Sequence, residues 1–240
     1  MNNPDEIFQN AIVAHRSGDL DTAGRLYRQV LAAAPENSGA LRNLATLLAS
    51  NGSMDEAVDL YRKALLQIPN DLAVLTNLGL ILQQQGNNDE AGTLYNRALE
   101  IDPNQANVRI AVADMHLMAG EANVAADHYR HAIEIGASES RIPANYAAAL
   151  LALDDIEKAL GEALTAVKID KQNADAWNIL GRIQLENGDI EQAVPSFQAA
   201  IQLRPDWYAP RLDLGVALQR SGNLSDAILT FENARKLNPD

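Results

Sequence analysis

Cysteine is missing from the 240-residue sequence, and several features that mark other functional classes are missing with it. Without cysteine the chain has no disulfide and no thiol nucleophile. No apolar run approaches the roughly 20 residues that a membrane-spanning helix needs. The N-terminal segment MNNPDEI lacks the basic and apolar regions of a secretory signal peptide, which favours a cytoplasmic location.

Excess positive charge is also absent. The formal net charge is −13 at pH 7. A chain with this balance repels phosphate backbones and anionic lipid headgroups. We therefore expect neither nucleic acid nor a membrane as the main partner.

Motifs that carry catalysis or bind metals are scarce. The sequence has no glycine-rich phosphate loop and no nucleophile elbow. Of its four histidines, only His128 and His131 have the spacing of two residues on one helical face. Two histidines without a third ligand form a weak metal site, and surface histidines are the commoner explanation. We predict a protein that is not an enzyme, with no catalytic residue, no cofactor and no metal.

What the sequence does contain is a pattern that recurs every 34 residues, the distance from Gly52 to Gly86. Six of the seven copies have glycine at this position, and Asp154 stands in the remaining copy. An alanine follows five residues later in every copy, and an aromatic residue follows four residues after that in all but one. These residues are Gly18, Gly52, Gly86, Gly120, Gly188 and Gly222; Ala23, Ala57, Ala91, Ala125, Ala159, Ala193 and Ala227; and Tyr27, Tyr61, Tyr95, Tyr129, Phe197 and Phe231, with Ala163 in place of the missing aromatic.

Each copy has the pattern of a helical hairpin, seen most clearly between residues 72 and 105. Two apolar stripes of period three to four flank Gly86, and Pro103 follows the second stripe. The first helix is predicted over about 73–85 and the second from about Asn88. Gly86 should end the first helix in a left-handed conformation. Gly79 and its equivalents are always small, which predicts a close approach of a neighbouring backbone.

This pattern resembles the tetratricopeptide repeat (TPR) family, a 34-residue helix-turn-helix repeat. The closest local match is Trp177-x2-Leu180-Gly181 followed by Ala193-x3-Phe197 and Pro205. The resemblance implies an all-α fold, a right-handed α-solenoid (superhelix) of seven 34-residue helix-turn-helix repeats. It also implies a single TPR solenoid domain over residues 4–240, with repeats at about 4–37, 38–71, 72–105, 106–139, 140–173, 174–207 and 208–240.

Some copies depart from the pattern. In repeat 5 an alanine replaces the aromatic residue, so we expect residues 136–164 to be the softest segment. Pro195 lies inside a predicted second helix and should kink its first turns. In the last copy Ile228, Phe231 and Ala234 are expected to face nothing. Either the chain is a fragment of a longer protein, or it self-associates through this uncapped C-terminal repeat.

In the TPR family the first helix of each repeat lines a concave groove. The first fourteen residues of the seven repeats contain seven arginines, no lysine and six carboxylates, so resemblance implies a nearly neutral groove inside an acidic outer surface. The charged residues counted are Arg16, Arg42, Arg109, Arg141, Arg182, Arg211 and Arg220, and Asp5, Glu6, Asp114, Asp175, Glu186 and Asp213.

Side-chain amides recur at one position of the first helix, at Asn43, Asn77 and Asn145. An amide can donate to a peptide carbonyl and accept from a peptide N–H, so a ladder of amides can hold an extended chain by its backbone. This series is locally similar to the asparagine ladder in the TPR region of O-GlcNAc transferase. The same asparagines could instead satisfy one another or backbone groups between repeats.

Four further polar residues complete the predicted peptide-binding set. They are Arg42, Gln83, Gln84 and Arg182. The whole pattern favours a non-catalytic scaffold that binds a protein or peptide ligand, extended or helical, in its groove. Two alternatives stay open: the substrate-recognition arm of a larger enzyme, such as a glycosyltransferase similar to O-GlcNAc transferase, and a self-assembling structural protein.

Overall fold

The computed structural model of the chain describes residues 3–238, and this part of the chain contains fourteen α-helices. They form helix-turn-helix pairs in which an odd-numbered first helix precedes an even-numbered second helix. The helices are α1 (Pro4–Arg16), α2 (Leu20–Ala33), α3 (Ser38–Ser50), α4 (Met54–Gln67), α5 (Leu72–Gln84), α6 (Asn88–Ile101), α7 (Ala106–Met118), α8 (Ala122–Glu134), α9 (Arg141–Ala152), α10 (Ile156–Ile169), α11 (Ala174–Glu186), α12 (Ile190–Leu203), α13 (Ala209–Arg220) and α14 (Leu224–Leu237).

The predicted all-α architecture of helix-turn-helix repeats is confirmed. The chain divides into two compact units, Met1–Val108 and Arg109–Asp240, with the division inside α7. In the first unit α1 packs on α2 and α3 on α4, and in the second unit α9 packs on α10 and α11 on α12. The single domain over 4–240 stays a prediction, and the last two of those residues lie outside the described part.

The turn between the helices of a pair requires a left-handed residue. Gly86 has a φ of 81° and Gly52 a φ of 83°, so the predicted helix ends are confirmed. Asp154 adopts the same conformation with a φ of 61° although it carries a Cβ. Repeat 5 therefore keeps the turn of the other repeats, at the expense of backbone strain.

The small residues of the first helices have a different partner from the one expected. A Cβ added to Gly79 would lie 2.5 Å from Cε1 of Tyr95, and one added to Gly181 would lie 2.7 Å from Cε1 of Phe197. The expectation of a neighbouring backbone was wrong at these positions. The aromatic ring of the second helix in the same repeat occupies the space, because it points from the hairpin into the layer between the two helices.

Repeat 5 compensates in part for its missing aromatic. Ala163 is fully buried, and Tyr146 of α9 belongs to the same cluster of buried side chains. Tyr146 stands where all but one of the other first helices carry leucine or valine, such as Leu78; the exception is Asn10. The segment before α9 is tied down by buried Ser140, whose Oγ donates to the carbonyl of Ala166 at 2.9 Å. The softness of residues 136–164 stays a prediction.

Two expectations concerned helices α12 and α14 of the second unit. Pro195 lies inside α12 on its exposed face, and the helix continues on both sides of it. In α14 Ala234 is buried and the ring of Phe231 lies against Gly215, so the expectation that these two side chains face nothing was wrong. Ile228 is 61% exposed, in keeping with that expectation.

Among the described residues, no helix combines the length and apolar character needed to cross a bilayer.

Candidate functional site

The first helices of neighbouring repeats lie side by side within each unit. In the first unit α3 contacts α5, and in the second unit α9 contacts α11, which contacts α13. The predicted amides sit on these first helices: Asn43 on α3 and Asn77 on α5 in the first unit, and Asn145 on α9 in the second. All three are half-buried, so each side chain is reachable from solvent yet supported by protein.

Asn77 is held by a chain of hydrogen bonds that starts in the preceding repeat. Its Nδ2 donates to the hydroxyl of Tyr61 at 3.3 Å. Thr46 Oγ1 lies 2.8 Å from the same hydroxyl and donates to the carbonyl of Arg42 at 3.0 Å, so the Tyr61 O–H donates to Thr46. Because the amide nitrogen is committed to Tyr61, its orientation is set. Within residues 3–238 the Oδ1 of Asn77 accepts no hydrogen bond.

Asn43 stands at the corresponding position of repeat 2 and lies near Tyr27 of repeat 1. Burial raises the pKa of Tyr27, and the hydrogen bond from the Asn43 side chain opposes that rise. His15 Nδ1 lies 3.1 Å from the Tyr27 hydroxyl and serves as its other partner. Tyr27 of repeat 1 and Asn43 of repeat 2 are therefore neighbours, as are Tyr61 of repeat 2 and Asn77 of repeat 3.

Asn145 belongs to a charged version of this arrangement. Its Nδ2 donates at 3.1 Å to Oδ1 of Asp114, which also accepts from the hydroxyl of Tyr129. Arg141 donates to Oδ2 of Asp114 at 2.7 Å. The pKa of Tyr129 is raised, first by burial and then by its bond to the Asp114 carboxylate. Asn145 is thus committed to an ionic network, which sets it apart from Asn43 and Asn77.

The amides follow the tyrosines at a fixed sequence spacing. Sixteen residues separate Tyr27 from Asn43 and Tyr61 from Asn77, and the same spacing leads from Ala163 to Ile179. Repeat 5 lacks the hydroxyl at position 163, and repeat 6 lacks the amide at position 179, whereas Ala111 follows Tyr95 at this spacing without an amide. This spacing was available in the sequence and would have identified the tyrosines as part of the site. The asparagines satisfy neither one another nor the backbone in these contacts, because their partners are side chains of the preceding repeat.

The other predicted site residues divide into paired and unpaired groups. Arg42 forms a salt bridge of 2.9 Å with Asp71, whose side chain is only 10% exposed. Gln83 accepts a hydrogen bond of 2.9 Å from the hydroxyl of Tyr95. Gln84 and Arg182 are exposed and form no side-chain hydrogen bond within residues 3–238. In this group of four, these two are therefore the side chains without a hydrogen bond or salt bridge in the described chain.

His128 and His131, which share the spacing of one helical face, have different partners. The ring of His128 stacks on His116, with 6.3 Å between centroids. His131 Nδ1 instead bonds the carbonyl of Asp127 at 3.0 Å. Burial lowers the pKa of His128, with Arg109 as the next cause. Among the described residues, no group of three or more His, Cys, Asp or Glu side chains could hold a metal ion.

Known structures resemble the chain along most of its length. PilF of Pseudomonas aeruginosa superposes with a TM-score of 0.70 at 19% identity, over 88% of this chain and 94% of that one. YrrB, described as a TPR protein with an unusual peptide-binding site, gives a TM-score of 0.64 at 20% identity, over 75% and 93%. A tetratricopeptide repeat protein from Parabacteroides merdae gives 0.67 at 15% identity, over 98% and 93%. At these identities the likeness shows the fold.

A sequence relative and the family profiles agree with the structures. Over 90 residues the chain is 33% identical to DnaJ homolog subfamily C member 3 of Homo sapiens, a match that spans 38% of this chain and 18% of that protein. Profiles described as tetratricopeptide repeat match residues 9–29, 36–102, 70–138, 146–210 and 184–240. The chain belongs to the tetratricopeptide repeat family.

Proposed function

We propose that the chain is a non-catalytic interaction module that binds an extended peptide on its layer of first helices. The observation that carries this proposal is the state of Asn43 and Asn77. The Asn77 amide nitrogen donates to the hydroxyl of Tyr61 in the preceding repeat, Asn43 lies beside Tyr27 in the same way along the sequence, and both amides remain accessible to solvent. Asn77 keeps Oδ1 and one N–H for a partner.

An amide in this state suits the peptide backbone. Its oxygen can accept from a peptide N–H while its second N–H donates to a peptide carbonyl, and neither bond depends on the ligand's side chains. Because Tyr61 already orients Asn77, binding requires little ordering of that side chain. The amides would therefore bind a peptide in an extended conformation whatever its sequence, and any sequence preference would come from neighbouring side chains.

Charge on the first helices is consistent with a neutral backbone as ligand. The exposed Gln84 of α5 adds another amide to the layer that holds Asn77. Arg42 is neutralised by Asp71 and so contributes no net charge there. The described peptide-binding character of YrrB supports the same proposal.

Peptide selection followed by matched substitution tests the proposal. A random-peptide phage library is selected on the full chain, and fluorescein-labelled selected peptides are titrated by fluorescence polarisation. The double variant Asn43→Ala/Asn77→Ala should bind at least about tenfold more weakly, since each lost hydrogen bond is worth about 0.5–1.5 kcal/mol.

The control variant removes two amides elsewhere. Asn96 on α6 and Asn233 on α14 are exposed on second helices, so Asn96→Ala/Asn233→Ala should bind like the wild type. An unchanged affinity in the Asn43/Asn77 variant, with its helical circular dichroism retained, would refute backbone recognition by these amides.

A further inference from the structure

A cavity of about 450 Å³ opens in the second unit, where the C-terminal ends of α9 and α11 meet α13. Leu151 and Leu185 contribute apolar wall, one from each of two neighbouring first helices. Charged side chains complete the lining. They are Asp154, Arg182, Glu186 and Asp213.

The charges of this cavity do not balance. Three carboxylates face one guanidinium, which leaves an excess of two negative charges. Within residues 3–238 neither Glu186 nor Asp213 forms a salt bridge, and Arg182 lies beyond ion-pair distance of both. The cavity therefore combines an apolar wall with carboxylates that have no cation of their own.

Asp213 is the carboxylate that this arrangement disfavours most. It is half-buried, and its pKa is raised chiefly by burial. Arg182 lowers that pKa in part, whereas Glu186 raises it further. A cation entering the cavity would offset both the burial and the repulsion from Glu186.

Asp154 contributes a third carboxylate to the cavity lining. It occupies the turn position where Gly52 and Gly86 stand in other repeats, and it takes the left-handed conformation there despite its side chain. The substitution places a carboxylate at the cavity at the expense of backbone strain. Asp154, in the turn between α9 and α10, thus supplies part of the negative charge of the cavity.

We propose that this cavity receives the side chain of an arginine or lysine from a bound peptide. The aliphatic stem would lie along Leu151 and Leu185, and the charged end would meet the carboxylates of Glu186 and Asp213. The inference rests on the proposed function and extends it, because it gives the otherwise sequence-tolerant module a preference for basic residues.

The test uses an isolated basic side chain as its probe. N-acetyl-arginine methylamide is titrated into the ¹⁵N-labelled full chain and followed by NMR, with the neutral analogue N-acetyl-citrulline methylamide as a ligand control. Saturable shifts of the Leu151, Leu185 and Asp213 amides are expected for arginine, with at least tenfold weaker binding of citrulline. Equal binding of both compounds, or no saturable shifts with arginine, would overturn the proposal.

Matched variants distinguish binding in the cavity from non-specific attraction of arginine to an acidic protein surface. Glu186→Gln/Asp213→Asn should reduce arginine affinity at least tenfold. Glu157→Gln/Glu232→Gln removes the same charge from exposed positions on second helices and should leave it unchanged. An equal loss in both variants would mean non-specific attraction to an acidic surface, which contradicts a built site.

The same titration distinguishes this inference from the function on which it rests. Asn43→Ala/Asn77→Ala changes only residues of the first unit and should leave arginine binding intact. If selected peptides depend on the asparagines but arginine does not bind, the cavity proposal alone fails. If arginine binds but no selected peptide depends on the asparagines, backbone recognition alone fails.

Discussion

The ring of Tyr95 lies directly against Gly79, where any Cβ would come within 2.5 Å of the ring carbon Cε1 and 2.9 Å of Cδ1. Real Cβ atoms essentially never come that close, so the glycine is required by the ring of its own repeat. Tyr95 is fully buried and cannot swing into solvent to make room. The two helices of repeat 3 are therefore held at a separation that one methyl group would change.

Gly79→Ala should destabilise the chain by about 1–3 kcal/mol, because the overpacking outweighs the better helix propensity of alanine. Gly161→Ala is the matched control, since a Cβ at that helical position meets nothing within 4 Å. The control should gain up to about 1 kcal/mol. Urea unfolding followed by circular dichroism measures both, and a Gly79 variant as stable as the control would contradict this packing.

Asp154→Gly should stabilise the protein by up to about 1 kcal/mol, because glycine adopts a positive φ without the penalty that other residues have. Gly86→Ala, at an equivalent turn with no neighbour within 4 Å of the added Cβ, should lose a similar amount. Thermal unfolding of the two variants beside the wild type checks the prediction. Shifts of the same sign would show that the two turns are not equivalent.

Tyr61→Phe should weaken peptide binding as well as stability. The change removes the hydroxyl that orients Asn77, so the free energy of unfolding should fall by about 0.5–1.5 kcal/mol and affinity for selected peptides should fall with it. Tyr146→Phe is the control, since the Tyr146 hydroxyl has no hydrogen-bond partner in the described chain. Equal effects of the two substitutions on affinity would rule out a positioning role for Tyr61.

Asp213 should oppose folding at neutral pH. Its pKa in the folded chain lies above the ordinary 3.8, so the folded state binds the proton more tightly than the unfolded state does. The charged carboxylate therefore destabilises the folded state. This destabilisation is absent at pH values below the pKa of the unfolded state, grows between the two pKa values and is complete above the pKa of the folded state. The melting temperature of Asp213→Asn should therefore exceed that of the wild type at pH 7 by more than at pH 4. A constant or shrinking difference would contradict the raised pKa.

The fold was accessible from sequence because its determinants are local and repeated. Gly86 and its equivalents mark helix ends within a few residues, and the period of 34 shows which residues are equivalent. The partner of Gly79 was not accessible, because the facing surface depends on how two helices pack after the turn. The same holds for Phe231, whose ring lies against Gly215, and for the buried Ala234, because both depend on the packing of α13 and α14.

The candidate site was accessible only in part. The asparagines at 43 and 77 could be found as a repeated polar position, but the orientation of Asn77 depends on Tyr61 in another repeat. The cavity could not be found at all, since Asp154, Glu186 and Asp213 belong to three repeats and no short motif links them. Arg42, predicted as a groove residue, is engaged by Asp71, a partner 29 residues away that no helical periodicity indicates.

Backbone recognition by Asn77 is tested most directly by a double-mutant cycle with amide-to-ester peptides. Each peptide N–H of a selected ligand is replaced in turn by an ester oxygen, and every ligand is titrated against the wild type and Asn77→Ala. One ester position should lose about 0.5–1.5 kcal/mol against the wild type and almost nothing against the variant. Losses that simply add at every position would show that Asn77 makes no bond to the peptide backbone.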